Sequence, residues 1–222
     1  MNIRHLIFDF DGTLCDTAES IVTVMRLTVE RLGLPVKSDA ELRSVIGLRL
    51  DEVGNVLFQS KSGLGCEFAS VYRQIYSELP VARLVRMVPY VRETLRALKE
   101  AGCDMVIATS RSRRSLLELM RNDGFGAFFN MVIAGDDVRE GKPDPEAIEL
   151  ICSEQGWNIN ETMMIGDARF DLLMGKRAGV KTCGVTYGNG TIEELAAANP
   201  DFLIDDIREL IDIVGISAAY DL

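Results

Sequence analysis

Short runs of apolar residues alternate with longer amphipathic segments over most of this chain. The apolar runs at 6–8, 105–108, 131–134, 162–165 and 202–204 predict buried strands, because turn-forming residues bound them. Helical patterns lie between them at 90–101, 112–122, 146–155 and 172–178, and residues 217–222 are expected to fray. Alternating strands and helices predict an α/β fold, a Rossmann-like and mostly parallel sheet with helices on both faces.

The segment between the first and second predicted strands has a different pattern. Helical periodicity at 17–32, 40–46, 50–58 and 67–78 is interrupted by glycines, and no convincing strand appears. We interpret residues 16–85 as an inserted all-helical cap domain, with residues 1–15 and 86–222 forming a discontinuous core. Hinges are expected near 15–16 and 85–88. The alternative is a plain helical decoration of the core.

Composition narrows the classes of function. The formal net charge of −10 disfavours binding to nucleic acid or to an anionic membrane, and no uncharged apolar run reaches the ~18–20 residues of a membrane span. Five scattered cysteines without a CxxC pair predict a reducing, cytoplasmic location, without a disulfide framework or a zinc site. The only histidine, His5, lies inside the first strand, so a Ser-His-Asp triad is not expected. Oligomeric state stays open between monomer and homodimer.

Polar side chains follow four of the predicted strands. Because the carboxyl ends of parallel strands meet at one edge of a sheet, we expect these side chains to surround a single pocket. Several carboxylates in one place require a hard cation, and oxygen ligands of this kind suit Mg²⁺. The residues are Asp9, Asp11, Thr109, Ser110, Lys142, Asp167 and Asp171.

The same residue types suit a phosphoryl group. A carboxylate that approaches a phosphate dianion meets repulsion of about 1 kcal/mol per charge pair at ~4 Å in water, and more in a dry site. Lys142 supplies positive charge that offsets this repulsion. Thr109 and Ser110 offer hydroxyl donors, and the turn at Gly12 offers backbone N–H groups. The predicted ligand is therefore a small phosphorylated metabolite together with Mg²⁺.

Four motifs occur here in a characteristic order and spacing. They are Asp9-Phe10-Asp11-Gly12-Thr13, then Thr109, then Gly141-Lys142-Pro143, and finally Gly166-Asp167 followed by Asp171. Together they resemble the haloacid dehalogenase (HAD) superfamily over almost the whole chain, and four motifs in register are far more specific than any one. The helical insertion resembles the cap of the phosphoglycolate phosphatase-like branch. The resemblance implies a magnesium-dependent phosphoric monoester hydrolase, with 2-phosphoglycolate as the first substrate to consider.

The resemblance also implies a role for each motif residue. Asp9 is the implied nucleophile, which forms an aspartyl-phosphate, and Asp11 is the implied acid that protonates the leaving oxygen and then activates water. The implied metal ligands are the carboxylates of Asp9 and Asp167 and the backbone carbonyl of Asp11. Asp171 is implied to act mostly by orienting metal-bound waters or Lys142. Since haloacid dehalogenases proper lack the second aspartate, Asp11 favours phosphate-ester hydrolysis.

Three features depart from the pattern of the resemblance or lie outside it. Many relatives follow the motif threonine with asparagine and lysine, whereas Thr109 is followed by the shorter Ser110. A hydrogen bond from this position to the site or substrate is therefore expected to be lost or water-mediated. In the cap, Arg49 is predicted to bind substrate, with a plain surface position as the alternative. Three further arginines are predicted to form a solvated helix face rather than a second anion site; they are Arg111, Arg113 and Arg114.

Other functions use the same motifs. A sugar phosphomutase employs the same nucleophile but returns the phosphoryl group to the sugar, and a non-catalytic phosphometabolite-binding protein keeps the pocket alone. Phosphonate cleavage is less expected, because that branch needs a lysine early in the cap and none lies between Asp16 and Val36.

Overall fold

This computed structural model describes residues 2–60, 63–121 and 125–216. The predicted fraying of residues 217–222 and the predicted helix end at residue 122 lie outside the described residues. The strands are β1 (His5–Phe8), β2 (Cys15–Asp16), β3 (Arg86–Met87), β4 (Asp104–Ala108), β5 (Met131–Ile133), β6 (Thr162–Gly166), β7 (Lys181–Val185) and β8 (Phe202–Ile204). The α-helices are α1 (Ala18–Arg31), α2 (Asp39–Arg43), α3 (Leu50–Phe58), α4 (Leu64–Glu78), α5 (Val91–Glu100), α6 (Arg113–Met120), α7 (Glu146–Gln155), α8 (Arg169–Ala178), α9 (Ile192–Ala197) and α10 (Glu209–Ile213).

Six strands form one parallel sheet in the order β5-β4-β1-β6-β7-β8. The predicted α/β fold is therefore confirmed. Phe8 at the end of the central strand β1 pairs with Ile107 of β4 and with Ile165 of β6. Continuing this register by two residues places Thr109 and Asp167 level with Phe10. The ends of three neighbouring strands thus lie together at one edge of the sheet.

Successive side chains of β1 point to opposite faces of the sheet, as a strand requires. Leu6 and Phe8 belong to an apolar cluster packed against α5, α6 and α10, whereas Ile7 belongs to a second cluster under α7 and α8. All three side chains are fully buried. With both faces covered by helices, β1 is held rigidly, and the loop that follows it starts from a fixed position.

The proposed cap has an apolar core of its own. Helices α1, α2, α3 and α4 bury a separate cluster that includes Met25, Leu42, Phe68 and Ile75. The cap joins the sheet through two segments, and these pair as the short antiparallel ribbon β2–β3. The ribbon coincides with the predicted hinges, and it supports the proposed division at 16–85.

Candidate active site

A buried lysine joins two carboxylates at the edge of the sheet. Lys142 Nζ lies 2.5 Å from Asp9 Oδ1 and 2.7 Å from Asp171 Oδ1, and the three side chains are at most 4 % exposed. Asp9 ends β1, while Asp171 lies in the first turn of α8 and its other oxygen accepts a hydrogen bond from Ala168 N–H. Asp171 is thereby fixed, and it holds the Lys142 ammonium against Asp9.

Asp167 completes a cluster of three buried carboxylates. Asp9, Asp167 and Asp171 each place one oxygen within 4.8 Å of the others. Burial, followed by the repulsion of Asp171, raises the pKa of Asp167 to about 7, although hydrogen bonds from Asn189 act in the opposite direction. Burial also raises the pKa of Asp9, against the attraction of Lys142.

The cluster fits a divalent metal ion. Lys142 offers one positive charge to three crowded carboxylates, so an added divalent cation balances the negative charge that remains. Oxygen ligands of this number and type suit Mg²⁺. The Asp11 side chain lies outside the cluster. The family resemblance implies that Asp11 binds the metal through its backbone carbonyl instead.

The loop after β1 packs directly on Asp167. Gly12 has φ of +90°, and a Cβ there would lie 2.0 Å from Asp167 Oδ2, so only glycine fits. Thr13 Oγ1 donates to Asp167 Oδ1 at 3.2 Å. The predicted role of Gly12 in binding phosphate stays a prediction, whereas its close approach to Asp167 is plain.

A second loop, after β7, also holds Asp167. The backbone N–H and side-chain amide of Asn189 donate to Asp167 Oδ2 at 2.7 and 2.9 Å, and Tyr187 Oη donates to the carbonyl of Thr13 at 3.0 Å. Reasoning from the sequence gave these residues no role. The signal was the polar run from Tyr187 to Thr191 directly after a buried strand.

The residues after β4 lie at the same edge. Thr109 is buried, and its hydroxyl oxygen accepts a hydrogen bond from Arg111 N–H at 3.1 Å, which leaves the hydroxyl proton for a ligand. Ser110, predicted to bind substrate, donates its hydroxyl to the carbonyl of Gly47 in the cap at 2.6 Å. In this structure Ser110 therefore connects core and cap.

Arg111 corrects one prediction. Its guanidinium makes a two-pronged contact with Asp11: Nη2 lies 2.6 Å from Oδ1 and Nε 3.1 Å from Oδ2. The Arg111 side chain is only 8 % exposed and is bound by the partly buried carboxylate of Asp11. The prediction of a solvated helix face is therefore wrong for this residue. Arg113 pairs near the surface with Asp137, and Arg114 is exposed.

Arg49 reaches from the cap to the loop that carries Lys142. Its Nε and Nη2 donate to the two carboxylate oxygens of Asp51, and its Nη1 donates to the carbonyl of Arg139 at 2.6 Å. Substrate binding by Arg49 stays a prediction, since these contacts already use much of its guanidinium.

Part of this site opens onto a cavity of about 720 Å³ between the core and the cap. The core lines it with Asp9, Asp11, Thr109, Ser110 and Arg111, and the cap lines it with residues that include Gly47, Arg49, Tyr72 and Tyr76. A ligand in the cavity can therefore touch Asp9 and the cap at the same time.

In the described part of the chain, no helix has the length and apolar character needed to cross a membrane.

Comparison with known proteins agrees with this geometry. The profile of the haloacid dehalogenase-like hydrolase family matches residues 6–185. A phosphoglycolate phosphatase of Vibrio parahaemolyticus is 31% identical over 224 residues, 98% of each chain. Pyrophosphatase PpaX of Bacillus velezensis is 34% identical over 220 residues, 96% of this chain and 97% of that one.

A solved structure gives the same result for the fold. The crystal structure of a haloacid dehalogenase-like hydrolase of Bacteroides fragilis superposes with a TM-score of 0.86 at 30% identity, covering 95% of this chain and 100% of the other. The family profile and this structure together cover nearly the whole described chain. The chain belongs to the haloacid dehalogenase-like hydrolase family.

Proposed function

We propose that this protein is a magnesium-dependent phosphatase that hydrolyses small phosphomonoesters through an aspartyl-phosphate on Asp9. The observation that carries the proposal is the contact of Lys142 with both Asp9 and Asp171 beside the buried Asp167. Such an arrangement orients a carboxylate and surrounds it with positive charge once a metal ion is bound. A carboxylate in that setting can attack phosphorus without prohibitive repulsion.

Each residue has a part in the proposed reaction. An Asp9 oxygen attacks phosphorus, the P–O bond to the leaving group breaks, and Asp11 delivers a proton to the leaving oxygen. Asp11 then takes a proton from water, which attacks the aspartyl-phosphate, releases phosphate and restores Asp9. Lys142 and the hydroxyl of Thr109 hold phosphoryl oxygens. Asp9, Asp167 and the Asp11 carbonyl would hold Mg²⁺, which would supply further charge neutralisation when bound.

The cap limits the substrate to small molecules. Residues of the proposed cap line the same cavity as Asp9. A lid of this kind excludes bulk water and large phosphate esters. The relatives make 2-phosphoglycolate and inorganic pyrophosphate the first compounds to test.

The test is a phosphate-release screen over small phosphomonoesters and pyrophosphate, with Mg²⁺ and with a chelator. We expect release that requires Mg²⁺. Sugar phosphates converted to isomers without release of phosphate would favour a phosphomutase instead. No turnover of any compound would favour a protein that only binds phosphorylated metabolites.

The Asp9→Asn variant tests the nucleophile. An amide cannot form the phosphoryl intermediate, so we expect phosphate release to fall at least about 10³-fold while the far-UV circular dichroism spectrum is unchanged. Retained activity in this variant would contradict the role of Asp9.

A further inference from the structure

The two-pronged contact between Arg111 and Asp11 conflicts with the role proposed for Asp11 as the general acid and base. Both oxygens of Asp11 accept hydrogen bonds from one guanidinium, so the carboxylate is turned toward Arg111. A carboxyl group that protonates the leaving oxygen must point at least one of its own oxygens toward the substrate. The contact therefore has to open, at least in part, during each turnover.

The surroundings hold Arg111 in place without Asp11. Its Nη1 donates to Ser115 Oγ at 2.8 Å, and its guanidinium lies 5.9 Å from the ring of Tyr76 in cap helix α4. Burial disfavours its charged form, but the attraction of Asp11 outweighs burial and raises the pKa of Arg111. An arginine guanidinium is charged in proteins whether or not Asp11 contacts it. Its Nε and Nη2 therefore need an anionic partner whenever Asp11 turns away.

Arg111 is the best placed of the cavity arginines for such a partner. Among the described residues, four arginines line the cavity: Arg49, Arg73, Arg111 and Arg114. Arg49 is already bound to Asp51 and to the carbonyl of Arg139, and Arg73 and Arg114 are exposed. Arg111 alone among these four is buried against a residue of the proposed catalytic pair.

We propose that Arg111 determines specificity by binding a second anionic group of the substrate, a carboxylate or a second phosphate, in place of Asp11. The planar guanidinium fork that now holds the Asp11 carboxylate has the geometry to hold either anion. A substrate with such a group satisfies Arg111 and frees Asp11 for the leaving oxygen. A substrate without it must break the contact and leave a buried arginine unpaired.

This inference rests on the proposed hydrolysis, and a matched pair of substrates tests it. 2-Phosphoglycolate and ethyl phosphate share the phosphate and the adjoining carbon, and they differ by a carboxylate in place of a methyl group. We expect Arg111→Gln to lower kcat/KM for 2-phosphoglycolate about 10- to 100-fold, the value of a charged hydrogen bond. For ethyl phosphate kcat/KM should be unchanged or higher, because the variant removes the contact with Asp11 that this ester has to break. Arg111→Lys should recover part of the loss.

Arg113→Gln is the matched control, because Arg113 lies on α6 with its guanidinium on Asp137 outside the cavity. The Arg113→Gln variant should leave kcat/KM unchanged for both substrates. An equal loss for both substrates in Arg111→Gln would overturn the assignment, since Arg111 would then serve only to hold Asp11. Retained activity toward ethyl phosphate also shows that the variant has folded.

The two proposals fail separately. Wild-type protein that releases phosphate from no compound in the screen would overturn the proposed hydrolysis. The Arg111 assignment is then decided by calorimetric titration of 2-phosphoglycolate into Asp9→Asn protein, with and without Arg111→Gln. An affinity that falls about 10-fold or more supports the assignment, and an unchanged affinity overturns it.

Discussion

At the scale of single residues, the site depends on a glycine with a backbone conformation that other residues rarely adopt. Gly12 and Gly33 both have positive φ, +90° and +62°. A Cβ on Gly12 would lie 2.0 Å from Asp167 Oδ2, whereas a Cβ on Gly33 meets nothing within 4 Å. The two positions therefore separate the cost of the backbone conformation from the cost of displacing Asp167.

We expect Gly12→Ala to reduce phosphate release at least about 100-fold, because the new methyl group moves Asp167 and the turn by a large fraction of an ångström or more. Gly33→Ala should lose only about 1 kcal/mol of unfolding free energy from its backbone conformation and keep its activity. Urea unfolding and steady-state kinetics on both variants make the comparison. Equal activity in the two variants would contradict the importance of the Gly12–Asp167 contact.

Single residues also show where sequence reasoning reaches its limit. The sequence predicts that Asp9, Thr109, Lys142 and Asp167 lie at one edge, because each follows a predicted strand of a parallel sheet. The partner of Asp11 could not be found this way. Arg111 is 100 positions away, and its adjacent arginines read as one exposed face. Only packing shows that the first of the three turns inward.

At the scale of elements, one surface aspartate links a helix and two strands at the edge of the sheet. Asp201, just before β8, accepts from the backbone N–H and hydroxyl of Thr182 in β7, both at 3.0 Å. Lys181 of β7 and Lys176 of α8 also donate to its carboxylate, at 2.8 and 3.0 Å. The carboxylate thereby joins a helix and a strand to the edge strand β8.

These contacts have a consequence for acid stability. Burial raises the pKa of Asp201, but the donors from Lys181, Lys176 and Thr182 outweigh it and hold the pKa below its ordinary value. A carboxyl whose pKa is depressed on folding stabilises the fold above its unfolded pKa of about 3.9, and that stability is lost as the pH falls toward the folded value. The side chain is 20 % exposed, so solvent screens the lysines.

We expect Asp201→Ala to lower the unfolding free energy by about 2 kcal/mol at pH 7, largely from the hydrogen bonds to Thr182. The difference from wild type should shrink as the pH falls from about 5 to about 2. Asp205→Ala, an exposed aspartate on the other side of β8, should change stability by less than about 0.5 kcal/mol. A difference that stays constant with pH would show that the charge of Asp201 contributes little.

Most of the elements that sequence reasoning missed are short, and the five-residue strand β7 is the exception. The strands β2 and β3 have two residues each, which is too few for any periodicity. Helices α9 and α10 have six and five residues. A signal for α9 was nevertheless present, since Thr191 and Glu194 form a capping box. The long amphipathic helices were predicted because packing on the sheet demands their pattern.

At the scale of the whole molecule, a few polar contacts hold the proposed cap against the core. Ser110 donates to Gly47, and Arg49 donates to Arg139, each at 2.6 Å. Both core partners lie beside motif residues, Thr109 and Lys142. Closing the cap and completing the site are therefore coupled through the same loops, so weakening one contact should lower the population of the closed state.

Ser110→Ala distinguishes two roles for this serine. If Ser110 holds the cap closed, removing its hydrogen bond to Gly47 lowers the closed fraction, and KM should rise about 2- to 10-fold with little change in kcat. The control is Ser44→Ala, which removes a serine hydrogen bond within the cap, to the carbonyl of Glu41, and should leave both constants unchanged. A fall in kcat at unchanged KM would instead mean that Ser110 turns from Gly47 to the phosphoryl group in the transition state, which is the substrate contact that the sequence predicts.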